Sequence, residues 1–305
     1  MNWRLHPFGV PPAVPAPTGR RGHLGPILLR VTAIGAPLDQ AALRAQLLAP
    51  AGRYAALDVV ASTGSTNRDL ALLAERGADD RTVLIAEEQT AGEGRQSRTW
   101  TSPPGSGLYL SVLLRPAEVP AQRLSWLTLL AGVALVRTAN WAGATGAALK
   151  WPNDLLLGGR KAAGVLATVS ALRDRVVVLG MGLNVLPLPV DVPLGAGGLA
   201  ATSLAESGAV KLDRTELATR LLTELAALDD AWRAAEGDAV AAGLYDEYRT
   251  SCVTFDQEVR VELNGSTTLE GTAVRLAEDG TLVLRTASGE REVSAGDVVH
   301  LRATS

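Results

Sequence analysis

With 305 residues, 47% of them hydrophobic, the chain can bury one large core or two moderate ones, and its formal charge of −3 gives no global pull toward nucleic acid or an anionic membrane. A single cysteine, Cys252, excludes an internal disulfide and any multi-cysteine metal site, and fits a reducing cytoplasm. The histidines His6, His23 and His300 stand at the extremes of the chain and form no ligand cluster, so a metal is expected to be a hard cation travelling with a nucleotide.

Residues 1–37 are rich in Pro and Gly without periodicity, which predicts an irregular extension. The early apolar run Ile27 to Leu29 is too short for a signal peptide, and no stretch reaches the roughly 18 apolar residues of a membrane span. A short helix is expected over 38–48 and a strand over 57–61. Thr66 followed by Asp69 resembles a capping box, ahead of a helix with Leu70, Leu73 and Ala74 on one face and Gly77 at its end. Apolar residues at Val83, Leu84 and Ile85, and alternating ones at Leu108, Leu110, Val112 and Leu114, predict two strands framing a long loop. A helix follows over 121–139, then a strand from Ala147 to Lys150 running into Trp151-Pro152-Asn153-Asp154, residue types that suit a turn.

Residues 154–185 read as a meander with turns at Gly158-Gly159 and 172–174. Past a Pro/Gly-rich loop over 186–201, Asp213 and Glu216 form a capping box for a helix that buries Leu217, Leu221, Leu225, Leu228 and Trp232, and a second helix is expected over 238–249. After Cys252, itself read as a buried small hydrophobe, short alternating runs are separated by Asn264-Gly265, Asp279-Gly280 and Ser288-Gly289. That pattern predicts a small, separate antiparallel barrel.

The chemistry concentrates in the long loop, which gathers Gly92, Gly94, Gly105 and Gly107, the cations Arg95 and Arg98, the donors Gln89, Ser97 and Thr99, and Trp100. Glycine lets backbone amides approach a ligand, and the guanidinium fork suits carboxylate or phosphate. Loops longer than about 12–15 residues are uncommon in compact domains and often functional. These residue types fit an anion clamp and also a solvated surface loop, and they name no ligand. Gly180-x-Gly182 lacks the third glycine and the helix of a dinucleotide fingerprint, and no Walker-type run occurs.

The run from Glu87 to Val112 resembles the signature loop of the biotin protein ligases, Gln-x-Ala-Gly-Arg-Gly-Arg-x-Gly-Arg-x-Trp. Arg95, Arg98 and Trp100 match, whereas Glu93 stands where the family has its first arginine and Ser97 where it has glycine. Further motifs follow the family's order: Ser65-Thr66-Asn67, Lys150-Trp151-Pro152-Asn153-Asp154-Leu155 with Lys161-x-x-Gly164, Gly180-x-Gly182-x-Asn184-Val185, and Thr202-Ser203-Leu204. Asp256 replaces a glycine usual near the first strand of the family's carboxy-terminal domain.

The resemblance implies an α+β fold: a mixed sheet with flanking helices, like the class II synthetase-like biotin/lipoate ligase domain, over 38–252, and an SH3-like barrel over 253–305. It implies activation of biotin by ATP to biotinyl-5′-adenylate and transfer to one lysine of a biotin carboxyl carrier domain. Ser65, Thr66, Asn67 and Gln89 would hold the ureido ring, with Gly92, Glu93, Gly94, Arg95, Lys150 and Gly164 completing the biotin site. Arg95, Arg98, Trp100, Lys150, Asn153 and Asn184 would hold ATP, and Trp100 either stacks on adenine or shuts the loop. Asn153 and Asp154 would bind Mg2+ with the phosphates; alternatively Asp154 orients the incoming amine. Lys150, Arg95 and Asp154 are the expected catalytic residues. A carboxylate attacking an anionic phosphate needs fixed cations, which Lys150, Arg95 and Arg98 supply.

Two neighbouring functions fit less well. A biotin-operon repressor needs a DNA-reading module, for which residues 1–37 have neither the length nor the helical pattern, so no nucleic-acid partner is expected. A lipoate ligase would carry Arg-Arg-x-x-Gly-Gly-Gly and His-Asp strings, which are missing. A homodimer is left open.

Overall fold

Helices and strands alternate along the first two thirds of the chain, and strands alone fill the last sixth. The computed structural model describes residues 35–169, 175–187, 192–263, 268–294 and 296–301. In chain order the elements are α1 (Gln40–Leu47), β1 (Ala56–Val60), α2 (Thr66–Glu75), β2 (Thr82–Ala86), β3 (Gly107–Leu114), α3 (Trp126–Ala142), β4 (Ala147–Lys150), β5 (Asp154–Leu157), β6 (Arg160–Val169), β7 (Val177–Asn184), α4 (Arg214–Ala234) and α5 (Leu244–Ser251). Five strands follow: β8 (Glu258–Glu262), β9 (Thr268–Leu276), β10 (Leu282–Thr286), β11 (Gly289–Val293) and β12 (Asp297–His300).

The first seven strands form one mixed sheet in the order β1-β2-β3-β7-β6-β5-β4, in which only β1 and β2 run parallel. The rest make an antiparallel sheet, β11-β10-β9-β8-β12. Every residue of β3 is buried, because α2 packs on one face of the sheet and the other helices on the opposite face. α3 is apolar on nearly all sides and lies between the sheet, α4 and α5. Each of its fully buried leucines contributes about 1.5–3 kcal/mol by leaving water. It stops at Gly143, whose left-handed backbone (φ 89°) returns its N–H to Asn140.

The C-terminal sheet is fastened to this body through two indoles. Trp126 donates to the Glu278 carbonyl at 2.8 Å and Trp151 to the Gly280 carbonyl at 3.3 Å, so the Asp279-Gly280 turn caps the start of α3.

Several sequence expectations shift. The helix expected over 121–139 begins at Trp126, after a single tight turn at Ala121–Arg123. The one expected over 238–249 is delayed to Leu244, because the Asp238 side chain takes the amides of Val240 and Ala241 and Gly243 adopts φ 71°, which ends that turn. The capping box at Thr66 and Asp69 is not formed: Ser65 is the capping residue, and Asp69 accepts instead from the Thr63 hydroxyl. At the other expected box, Asp213 takes the amides of Thr215 and Glu216. Asp256 has φ 61°, the conformation that favours the glycine it replaces. Cys252 is buried, and burial pushes its thiol up. Residues 1–34 of the extension expected over 1–37, the turn at 172–174 and the Asn264-Gly265 hairpin fall outside the described residues.

Charge is also buried between β2 and α4. Asp229, 1% exposed, lies 2.6 Å from Arg81 and 2.9 Å from Arg233, which in turn reaches Asp80 at 2.7 Å. Removing the central carboxylate leaves two mostly buried guanidinium groups short of a partner. Asp229→Ala is therefore expected to cost about 3–5 kcal/mol, read as a lowered urea midpoint with an unchanged slope.

Candidate active site

The cavity, about 370 Å3, opens on the face of the sheet beside α2 and is bounded by the amino end of that helix, β6 and β7, the 89–102 loop and the edge of the C-terminal sheet. Its first wall is polar and internally satisfied. The Thr66 amide and hydroxyl both donate to Gln89 Oε1, at 2.9 and 3.1 Å, and Gln89 Nε2 donates to the Ser102 hydroxyl. Behind them Ser111 Oγ lies 2.7 Å from Thr66 Oγ1 and 2.6 Å from Asn67 Oδ1, while Asn67 Nδ2 donates to the Leu166 carbonyl. Ser65 is buried at the same corner. Buried hydroxyls and amides need such partners, and this mutual bonding fixes their directions.

The floor is made of glycine. Gly164 on β6 lies opposite Gly182 on β7, and the Trp100 indole rests on both. A Cβ at Gly182 would come within 2.4 Å of Trp100 Nε1, a nitrogen that is buried without a partner among the described residues. Gly180, one pleat away, makes room for the Asn67 carboxamide: a Cβ there would stand 2.1 Å from Asn67 Oδ1.

The far wall is charged. Lys150, 5% exposed at the end of β4, has its ammonium pKa held down, first by burial and further by Lys161 and Arg98, against the pull of Asp154 and Asp297. Asp154 is buried beside Lys161, 2.6 Å away. Arg95 donates to Asn153 Oδ1 and to the Gly296 carbonyl, both at 3.3 Å, and burial lowers its pKa. Arg98 forms an ion pair with Asp297, which raises its pKa. Asn184 lines the same cavity and donates to the Thr202 carbonyl.

The structure thus brings together Ser65, Thr66, Asn67, Gln89, Glu93, Gly94, Arg95, Arg98, Trp100, Lys150, Asn153, Asp154, Gly164 and Asn184. Gly92 does not line the cavity. Its carbonyl accepts the Trp100 amide at 2.8 Å, and a Cβ would meet the Trp100 carbonyl at 2.5 Å, so it shapes the loop from behind. Glu93 pairs with Arg68 on α2, not with Arg95 or Arg98. Sequence reasoning passed over Lys161 and Ser111, although both stand inside quoted motifs, and Asp297, which no local pattern marks.

Residues 59–185 match the biotin/lipoate A/B protein ligase family, and residues 254–301 match the biotin protein ligase C terminal domain. A biotin--[acetyl-CoA-carboxylase] ligase of Mycobacterium tuberculosis is 44% identical over 87% of this chain and 97% of its own length. A bifunctional ligase/repressor BirA of Bacillus subtilis is 35% identical over 79% of this chain and 72% of that one. In three dimensions, a biotin protein ligase from Aquifex aeolicus, solved in complex with biotin and ATP, superposes with a TM-score of 0.66 at 26% identity, covering 82% of this chain and 100% of that one. The chain belongs to the biotin/lipoate A/B protein ligase family. Its similarity runs to biotin protein ligases along most of its length, in sequence and in fold.

The contact between Gly180 and Asn67 is testable by itself. Gly180→Ala is expected to lower stability by about 1–3 kcal/mol through overpacking, seen as a reduced thermal midpoint. An unchanged midpoint would show that Asn67 can leave its place freely.

Proposed function

We propose that this protein activates biotin with ATP and transfers it to one lysine of a biotin carboxyl carrier domain. The observation that carries this reading is the pairing, across one cavity, of an uncharged hydrogen-bonding wall with a wall holding Lys150, Arg95, Arg98 and Lys161. Biotin has the same two ends, a neutral polar ring and a carboxylate. Ser65, Thr66, Asn67 and Gln89 suit the ring, Gly164 and Gly182 let it or its tail lie close to the sheet, and the cations receive the carboxylate and the nucleotide phosphates.

In the first step a biotin carboxylate oxygen attacks the α-phosphorus, the bond to the bridging oxygen breaks, and pyrophosphate leaves. Both reactants are anions, and a low-dielectric site makes fixed cations more effective than they would be in water. Lys150 and Arg95, both largely withdrawn from solvent, meet that requirement. In the second step the acceptor amine attacks the acyl carbon, AMP leaves, and the amine loses a proton. Asp154, if it does not hold the metal ion, would orient that amine. Trp100 covers the floor with an indole N–H that has no partner among the described residues, which suits a residue that moves to stack on the nucleotide or to close over it.

For Mg2+, Asp154 and Asn153 are the residues that fit, although Lys161 already touches the carboxylate and Arg95 the carboxamide. Among the described residues no group of three or more His, Cys, Asp or Glu gathers around a metal position. The ion would therefore come with the triphosphate and mainly lessen its charge.

We place the catalytic unit at 38–252 and the C-terminal unit at 253–305. A reducing cytoplasm suits the lone buried Cys252. No helix among the described residues is long and apolar enough to cross a membrane.

Two measurements test the assignment. Mixing the protein with biotin and Mg-ATP should yield biotinyl-adenylate by mass spectrometry, and Lys150→Ala should slow its formation by about 100-fold or more; a native rate in that variant removes the charge argument. Glu93, anchored by Arg68, adds a negative charge where the signature pattern it resembles has an arginine, so the intermediate should be held less firmly. Glu93→Arg is expected to slow biotinyl-adenylate release at least about threefold, and equal off-rates dispose of the idea.

A further inference from the structure

Lys150 ends β4, and β4 is an edge strand of the large sheet. That edge is covered by the segment leading into the C-terminal sheet. Cys252 pairs with Leu149 as a parallel bridge, and the Val253 amide donates to the Leu149 carbonyl at 2.9 Å. One residue on, the Trp151 amide donates to the Thr254 hydroxyl at 3.1 Å. Thr254 is fully buried, and its hydroxyl has the Cys252 thiol on one side and His300 Nε2, 3.3 Å away at the end of β12, on the other. A hydroxyl has one proton to give. One lone pair is taken by the Trp151 N–H, and the proton can be given either to the Cys252 thiol or to an imidazole whose Nε2 is unprotonated.

We propose that His300 is a positioning residue for adenylate formation: as a neutral acceptor for Thr254 it holds the 252–254 segment against β4 and so sets where the Lys150 ammonium stands in the cavity. The inference deepens, and rests on, the role given to Lys150 above. Two independent connections then join β12 to the reacting end of the site, since Asp297 on the same strand holds Arg98. Burial and the nearby Lys150 charge both press the imidazole below its ordinary pKa, so it is neutral at and above neutral pH. Lys150 is the charge that acts on it. Of the other charged groups around β12, Asp297 is engaged by Arg98, Arg260 on β8 lies toward Glu270, Glu258 and Glu262 are exposed, and Asp256 points toward Arg249. On acidification the ring becomes a double donor, Thr254 loses the imidazole as an acceptor, and a second positive charge arises beside Lys150.

The test is biotinyl-adenylate formation by the full chain from about pH 5.5 to 9, with kcat and the KM for ATP measured separately for the native protein, His300→Gln, His300→Leu and Thr254→Val. Glutamine keeps an acceptor near Nε2 but does not titrate. The native profile should fall on the acid side below the ordinary histidine range. His300→Gln should approach the native kcat at alkaline pH and lose that acid limb. His300→Leu and Thr254→Val should each lower kcat about tenfold or more across the range. Superimposable profiles for the native protein and His300→Gln overturn the proposal, and so does a native kcat in His300→Leu. The glutamine profile decides the matter even if the leucine variant does not fold. Lys150→Ala run alongside separates the two layers. If it is inactive while the His300 variants are unaffected, only this inference falls; if it is fully active, the role of Lys150 falls and takes the inference with it.

Discussion

Burying positive charge without neutralising it completely is the constraint on which the rest of this structure depends. Lys150, Arg95, Arg98 and Lys161 converge on one cavity, and a lone cluster of cations in a half-dry site would repel itself. Two carboxylates temper that repulsion: Asp154 beside Lys161 and Asp297 beside Arg98. The first comes from the large sheet and the second from the last strand of the small one, so the docking of the C-terminal sheet through Trp126 and Trp151 also brings a carboxylate to the site. The charge balance of the site thus depends on the two sheets staying together.

On the opposite wall the governing rule is saturation. Ser111, Thr66, Asn67, Gln89 and Ser102 bond to one another, so the donors and acceptors left for a ligand are few and fixed in direction. Glycine sets the depth of the same site. Gly180 gives way to a carboxamide and Gly182 to an indole, two side chains laid flat against neighbouring strands. Neither glycine is there for a turn.

Much of this was legible in the sequence because the chemistry sits in short, ordered runs: Ser65 to Asn67, Gln89 to Trp100, Lys150 to Asp154. Strand periodicity located the sheet, and Asp-Gly and Ser-Gly pairs marked the small antiparallel unit. The misses share a cause. Capping at Thr66 was read from local spacing, but its hydroxyl is drawn to Gln89, far away in the chain. Asp238 and Gly243 undid the start of a helix through turn chemistry that apolar spacing does not report. Asp297 and Arg68 were invisible because an ion pair between distant segments leaves no periodic trace. Gly92, a member of the Gln89 to Trp100 motif, stands behind the loop and not on the cavity wall; membership of a motif does not say which way a residue faces.

The Arg98 and Asp297 pair has a consequence for selectivity. On the function proposed above, an incoming anion would meet a guanidinium that already holds a carboxylate, and part of its attraction would go into loosening that pair. Weakly charged trespassers gain little from such a swap, whereas a polyphosphate can outbid the resident group. Discrimination at this end of the molecule would then come from competition with an internal tenant more than from shape.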